Sequence, residues 1–136
     1  MVNHKNQSIA RLCELGFQKV GDWHVVHNKL SCRLTQHAHQ SNILYAFLAE
    51  NTVKYFGKST HTLEQRMSGY RNPGPSQRTN IRNRSKIVDL LNVSQPVEIL
   101  AYCPNETISF RGYQINLAAG LEDTLLDEFS PEWNLL

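Results

Sequence analysis

One carboxylate in the last part of the chain stands where an apolar residue is expected. From Gln114 to Phe129 the positions that would face inward on a helix are Ile115, Ala118, Glu122, Leu125 and Phe129. Burying an unpaired carboxylate is costly, so Glu122 needs a cation, either a metal ion or an arginine. A structural ion pair, or a helix turned to expose Glu122, would also satisfy it. Asp123, Asp127 and Glu128 fit the solvent face. Two tyrosines, Tyr45 and Tyr55, lie on adjacent strand-like segments, where antiparallel pairing can bring their side chains to one face. A phenol can donate, accept or, with a lowered pKa, remove a proton. Simple packing is the plain alternative. Arg66 stands near the start of a capped helix, four residues before Tyr70. There a guanidinium can grip a phosphate with two hydrogen bonds and offset charge on a crowded phosphorus. A surface arginine with no role is the ordinary reading of such a residue taken alone.

The charge pattern bears on the same chemistry. The net charge is only +2, but eight basic residues and one acid, Glu64, stand between Lys54 and Lys86. The remaining chain holds six basic and eleven acidic residues. A basic stretch of this kind can hold a polyanion by releasing its counterions, although an Arg-rich solvated helix would look the same. With 136 residues, 40% of them hydrophobic and 19% charged, the chain suits one globular domain. No apolar run approaches the ~20 residues of a membrane span, and Met1 to Ala10 lack the apolar core of a signal peptide. A cytoplasmic protein is the expectation. Cys13, Cys32 and Cys103 are odd in number and widely spaced, so they are expected as reduced, mostly buried thiols.

The elements that must position these residues follow from periodicity. Ser8 to Leu15 reads as a short helix stopped by Gly16. Phe17 to Val26 and Lys29 to Thr35 read as a strand pair turning near His27 and Asn28. Asn42 to Ala49 and Thr52 to Gly57 form a hairpin around Glu50 and Asn51. Thr62 and Gln65 fit a capping box for a helix with an apolar stripe of Leu63, Met67 and Tyr70, ended by Asn72-Pro73-Gly74-Pro75. A second helix is expected over Thr79 to Leu91, a strand over Pro96 to Cys103, a loop over Pro104 to Thr107, and a last helix over Gln114 to Phe129.

In order and spacing these residues resemble the GIY-YIG nuclease family. Ile43-Leu44-Tyr45 stands where the family has GIY, and Tyr55-Phe56-Gly57 stands at YIG, with its tyrosine ten residues after the first. Arg66 lies eleven residues after Tyr55, at the family's arginine, and Tyr70 stands at a position the family fills with His or Tyr. Glu122 matches the metal-binding glutamate and Asn134 the terminal asparagine. The ending Phe129-x-Pro131-x-Trp133-Asn134 looks like the phage endonuclease II branch and the restriction endonucleases of the superfamily. The chain departs at the first glycine, here Ile43, and at both central isoleucines, here Leu44 and Phe56.

The resemblance implies an α+β fold: a small, mostly antiparallel three-stranded sheet flanked by helices. Residues 42–136 would be the nuclease core, and residues 1–41 a helix and hairpin extension packed on it. It implies an endonuclease that hydrolyses double-stranded DNA. Tyr45, Tyr55, Lys58, Arg66, Tyr70, Glu122 and Asn134 would form the site, with Tyr45 as general base helped by Tyr55 and Lys58. Glu122 would hold one Mg²⁺ or Mn²⁺, an oxygen-seeking ion. Lys54, Arg71, Arg78, Asn80, Arg82, Arg84 and Lys86 are candidates for DNA contacts, as is Asn83. Since one site cuts one strand, a homodimer or homotetramer is expected for a double-strand break. The alternatives are a structure-specific repair nuclease, a DNA-binding module that no longer cuts, and a histidine metal site built from His24, His27, His37 and His39.

Overall fold

The computed structural model describes residues 4–135. The first three residues of the expected extension and the last residue of the expected core lie outside them. Helix α1 (His4–Leu15) is followed by strands β1 (Gln18–Val26), β2 (Lys29–Leu34), β3 (Ile43–Ala49) and β4 (Thr52–Ser59). Then come helices α2 (Leu63–Arg71) and α3 (Arg78–Asn92), strand β5 (Val97–Tyr102), the short strands β6 (Ile108–Phe110) and β7 (Tyr113–Ile115), and helix α4 (Leu117–Phe129).

The central sheet has five strands in the order β2-β1-β5-β3-β4, and every pairing in it is antiparallel. The expected count of three is therefore too low. The N-terminal hairpin supplies the two strands at one side of this sheet. It lengthens the sheet, because β1 pairs along β5 with Trp23 opposite Val97. The hairpin turns use two residues with positive φ, His27-Asn28 and Glu50-Asn51, which match the twist of the strands they join.

Strand β3 is buried along its whole length. Its continuous run of apolar residues reflects helices on both faces of the sheet. Ile43, Tyr45, Phe47 and Ala49 pack with Leu63, Met67 and Tyr70 of α2 and Ile87 of α3. Leu44, Ala46 and Leu48 pack on the other face with Leu12 of α1 and with Ala118 and Leu125 of α4. Alternation along the strand thus assigns each residue to one of two cores.

Two further expectations change. β6 and β7 form a separate two-stranded ribbon turning on Arg111 and Gly112, both at positive φ. Ile115 belongs to this ribbon and is exposed. α4 starts later than expected because the Asn116 side chain accepts the Ala119 N–H at 3.3 Å and caps it. The inward stripe therefore begins at Ala118. The cysteines are free as expected, but Cys13 is exposed and Cys32 and Cys103 are only half-buried.

Candidate active site

Tyr45 and Tyr70 are both fully buried, and their hydroxyls share a hydrogen bond of 2.6 Å. β3 supplies one and α2 the other. Helix α2 is fixed at its start by the capping box, in which Thr62 accepts the Gln65 N–H at 3.2 Å and Gln65 accepts the Thr62 N–H at 3.1 Å. Tyr45 lies opposite Gly57 on β4. A Cβ on Gly57 would collide with the Tyr45 hydroxyl, so the glycine provides the room in which that ring lies. Arg66, one turn before Tyr70, donates from Nη2 to the Tyr70 hydroxyl at 2.9 Å and to Asn80 Oδ1 at 3.1 Å. Its guanidinium lies 4.4 Å from the centre of the Tyr70 ring, within cation–π range. Tyr55 joins by packing, its ring stacked on Phe47 at 5.7 Å and 6.3 Å from Tyr45.

Burial pushes the Tyr45 and Tyr70 phenols well above their ordinary range, and the Arg66 charge opposes this only in part. The cation beside Tyr45 is thus Arg66 and not Lys58, and Tyr55 adds to the upward shift rather than relieving it. Burial also works against the Arg66 charge, but the tyrosine oxygens around it outweigh this and raise its pKa.

Glu122 lies across the sheet from these tyrosines, on the α4 side. Its carboxylate is half-buried, and Lys58 Nζ stands 4.0 Å away. Burial raises the Glu122 pKa, Lys58 lowers it, and Asp123 raises it further. A carboxylate that burial makes reluctant to stay charged, with one lysine at the limit of ion-pair distance, has spare capacity for a cation. No group of three or more His, Cys, Asp or Glu side chains converges among the described residues. Glu122 is thus the carboxylate on this side that could hold a cation. His37 bonds Gln18 at 3.1 Å and His39 approaches Glu64 at 3.6 Å, so these two histidines look to different partners.

The two groups meet on β4, the edge strand, where Gly57 belongs to one face and Lys58 to the other. Asn134 fixes this edge. Its side chain accepts the Phe56 N–H and donates to the Phe56 carbonyl, both at 2.9 Å, in place of the missing neighbour strand. Trp133 N–H donates to the Lys54 carbonyl at 2.9 Å and extends the clamp.

The residues expected to face DNA divide. Arg71 and Arg78 are exposed, and Arg82 and Arg84 are half-buried. Among the described residues none of these four, nor Arg66, makes an ion pair. Lys54 differs, because Glu132 at 2.7 Å and Glu50 at 3.3 Å neutralise it and leave 11% of its side chain exposed. Lys86 is half-buried, 6.0 Å from the Trp133 ring. Asn80 and Asn83 are buried at 7% and 0% exposure, so neither presents its amide on the surface. Asn80 faces Arg66 instead, a contact that only the packing of α2 on α3 makes visible.

The class of fold is that of the GIY-YIG nucleases. Over 97% of this chain and 100% of the other, the structure is similar to a mutant of bacteriophage T4 EndoII, at 22% identity and a TM-score of 0.74. It is also similar to the restriction endonuclease HPY188I in complex with product DNA, at 18% identity and a TM-score of 0.54, over 91% of this chain and 79% of that one. No family model matches the chain, and no curated protein matches its sequence.

Proposed function

We propose that the protein is a metal-dependent endonuclease that hydrolyses phosphodiester bonds of double-stranded DNA, in the manner of a restriction or phage endonuclease. The observation that carries this reading is the set of arginines that make no ion pair among the described residues. Arg66 is held over the tyrosine pair, and Arg71, Arg78, Arg82 and Arg84 lie on the same two helices. A nucleic-acid backbone supplies the missing negative charge. The likeness to EndoII and to a restriction enzyme with its product DNA supports the same partner.

In this reading Arg66 meets the non-bridging oxygens of the scissile phosphate and offsets the charge that grows on them. The phosphate competes with Tyr70 for Nη2, and the freed Tyr70 oxygen becomes the point where the attacking water meets the tyrosine pair. The water oxygen bonds to phosphorus as the bond from phosphorus to the 3′ oxygen breaks, and the water's proton goes to the departing 3′ oxygen, while Tyr70, held by Tyr45, orients the water and both phenols stay protonated. Tyr55 keeps the pair in place by packing, and Lys58 steadies Glu122. Glu122 would hold one Mg²⁺ or Mn²⁺, which when bound supplies positive charge at the leaving 3′ oxygen. Asn134 keeps β4 in register beneath these groups. Two copies of the chain, or more, would cut both strands.

Supercoiled plasmid incubated with purified protein and Mg²⁺ or Mn²⁺, followed by sequencing of the ends, tests the proposal. The expected result is nicking or linearisation that stops when the metal is chelated. Cleavage confined to branched or damaged DNA would indicate a repair nuclease. Binding with no cleavage under any metal would indicate a module that no longer cuts.

A further inference from the structure

Asn80 lies in the first turn of α3, buried against α2, and forms one link in a chain of side-chain contacts. The amide has two ends with opposite polarity. Its Oδ1 accepts from Arg66 Nη2 at 3.1 Å, and its Nδ2 donates to Gln77 Oε1 at 3.4 Å. Gln77 Oε1 also accepts the Gly74 N–H at 2.8 Å. Gln77 precedes α3 but does not cap it, because its side chain is turned back to this loop. Gly69 completes the slot. A Cβ there would lie 3.3 Å from Arg66 Nη1, a tight approach, and 3.4 Å from Asn80 Nδ2, an ordinary contact.

We infer that Asn80 is a positioning residue that acts through Arg66, with its amide orientation set by Gln77 and the Pro73-Gly74-Pro75 loop. The inference rests on the nuclease reading for its consequence and on the hydrogen bonds for its geometry. An arginine side chain has several rotatable bonds, and one acceptor, the Tyr70 hydroxyl, leaves the fork free to swing. A second acceptor of fixed orientation confines it. Because that acceptor is neutral, the guanidinium keeps its full charge for a phosphate, which a carboxylate at position 80 would cancel. Gln77 prevents the amide from turning its NH₂ toward Arg66, where two donors would face each other.

A double-mutant cycle on cleavage tests this. Asn80→Ala is expected to lower kcat about tenfold to a hundredfold with DNA affinity little changed, as for a misplaced group. If Asn80 acts only through Arg66, Asn80→Ala in an Arg66→Ala background costs nothing further. Multiplying losses would overturn the inference, as would wild-type kcat in Asn80→Ala. The isosteric Asn80→Asp preserves packing and guards against misfolding. It is expected to lose at least tenfold in kcat, and wild-type kcat there would contradict the inference. A second readout does not depend on cleavage. NMR of arginine-labelled protein is expected to show hindered rotation about the Arg66 Cζ–Nη2 bond that Asn80→Ala relaxes. Unchanged rotation would refute the positioning role even if the nuclease reading holds. Hindered rotation lost in the variant, with no DNA cleavage by wild type, would preserve the positioning and refute the nuclease.

Discussion

The two faces of the sheet treat their polar groups in opposite ways. Under α2 and α3, Tyr45 and Tyr70 are buried, with their hydroxyls bonded to each other and that of Tyr70 also to Arg66. Beside α4, Glu122 and Lys58 stand partly in solvent, 17% and 52% exposed in their side chains, in loose contact. The sealed cluster is organised before any ligand arrives, at the cost of holding phenols where they resist ionisation. The open pair is only loosely matched, which is compatible with the cation proposed for Glu122. Preorganised donors and an open cation site are complementary requirements of phosphate chemistry. They meet on one edge strand whose free side Asn134 clamps.

The largest effect is expected on the open side. Glu122→Ala should abolish cleavage while keeping DNA affinity within a few-fold, measured by nicking and by a binding titration. Full cleavage in that variant would remove the metal assignment. On the sealed side, Gly57→Ala drives a methyl into the Tyr45 hydroxyl. It should cost about 1–3 kcal/mol of stability by denaturant titration, as overpacking does. Cleavage should fall by about a hundredfold with it. Unchanged stability would mean that the ring can move aside.

A smaller effect concerns pH. Tyr45 and Tyr70 resist ionisation when folded, and the unfolded chain gives up those protons at the ordinary phenol value. Stability should therefore be complete below about pH 10 and decline above it, as ionisation favours the unfolded state. Tyr45→Phe should make that alkaline decline shallower, and an identical decline in the variant would contradict the burial argument. Smallest is the contribution of one outer arginine. Arg78→Ala should weaken DNA binding modestly and reduce the salt slope of log K by about one. An unchanged slope would place Arg78 away from the backbone.

How much of this was legible depends on how local each signal is. The capping box of α2, the hairpin about Glu50-Asn51 and the run of β3 are encoded within a few residues, and the fold contains all three. The five-stranded sheet was not legible, because β1 pairs with β5 some seventy residues away and nothing in either strand names its partner. The ribbon of β6 and β7 was missed because three-residue strands give too short an alternation, and Ile115 then extended the helical stripe of α4 falsely. Tyr45, Arg66 and Tyr70 stood out by type and spacing, and the fold brings their side chains into contact. The contacts of Asn80 with Arg66, and of Lys54 with Glu132, depend on tertiary packing, which composition does not show.

The central claim is that Arg66 serves the chemistry of a phosphate and not its capture alone. Cleavage rate and affinity measured for Arg66→Ala on one DNA duplex test it most directly. The account predicts that kcat falls about 10²–10³-fold, as when one donor to a charged transition state is removed, with Kd shifting by only a few-fold. Near-normal turnover, or a loss carried wholly by Kd, would contradict it.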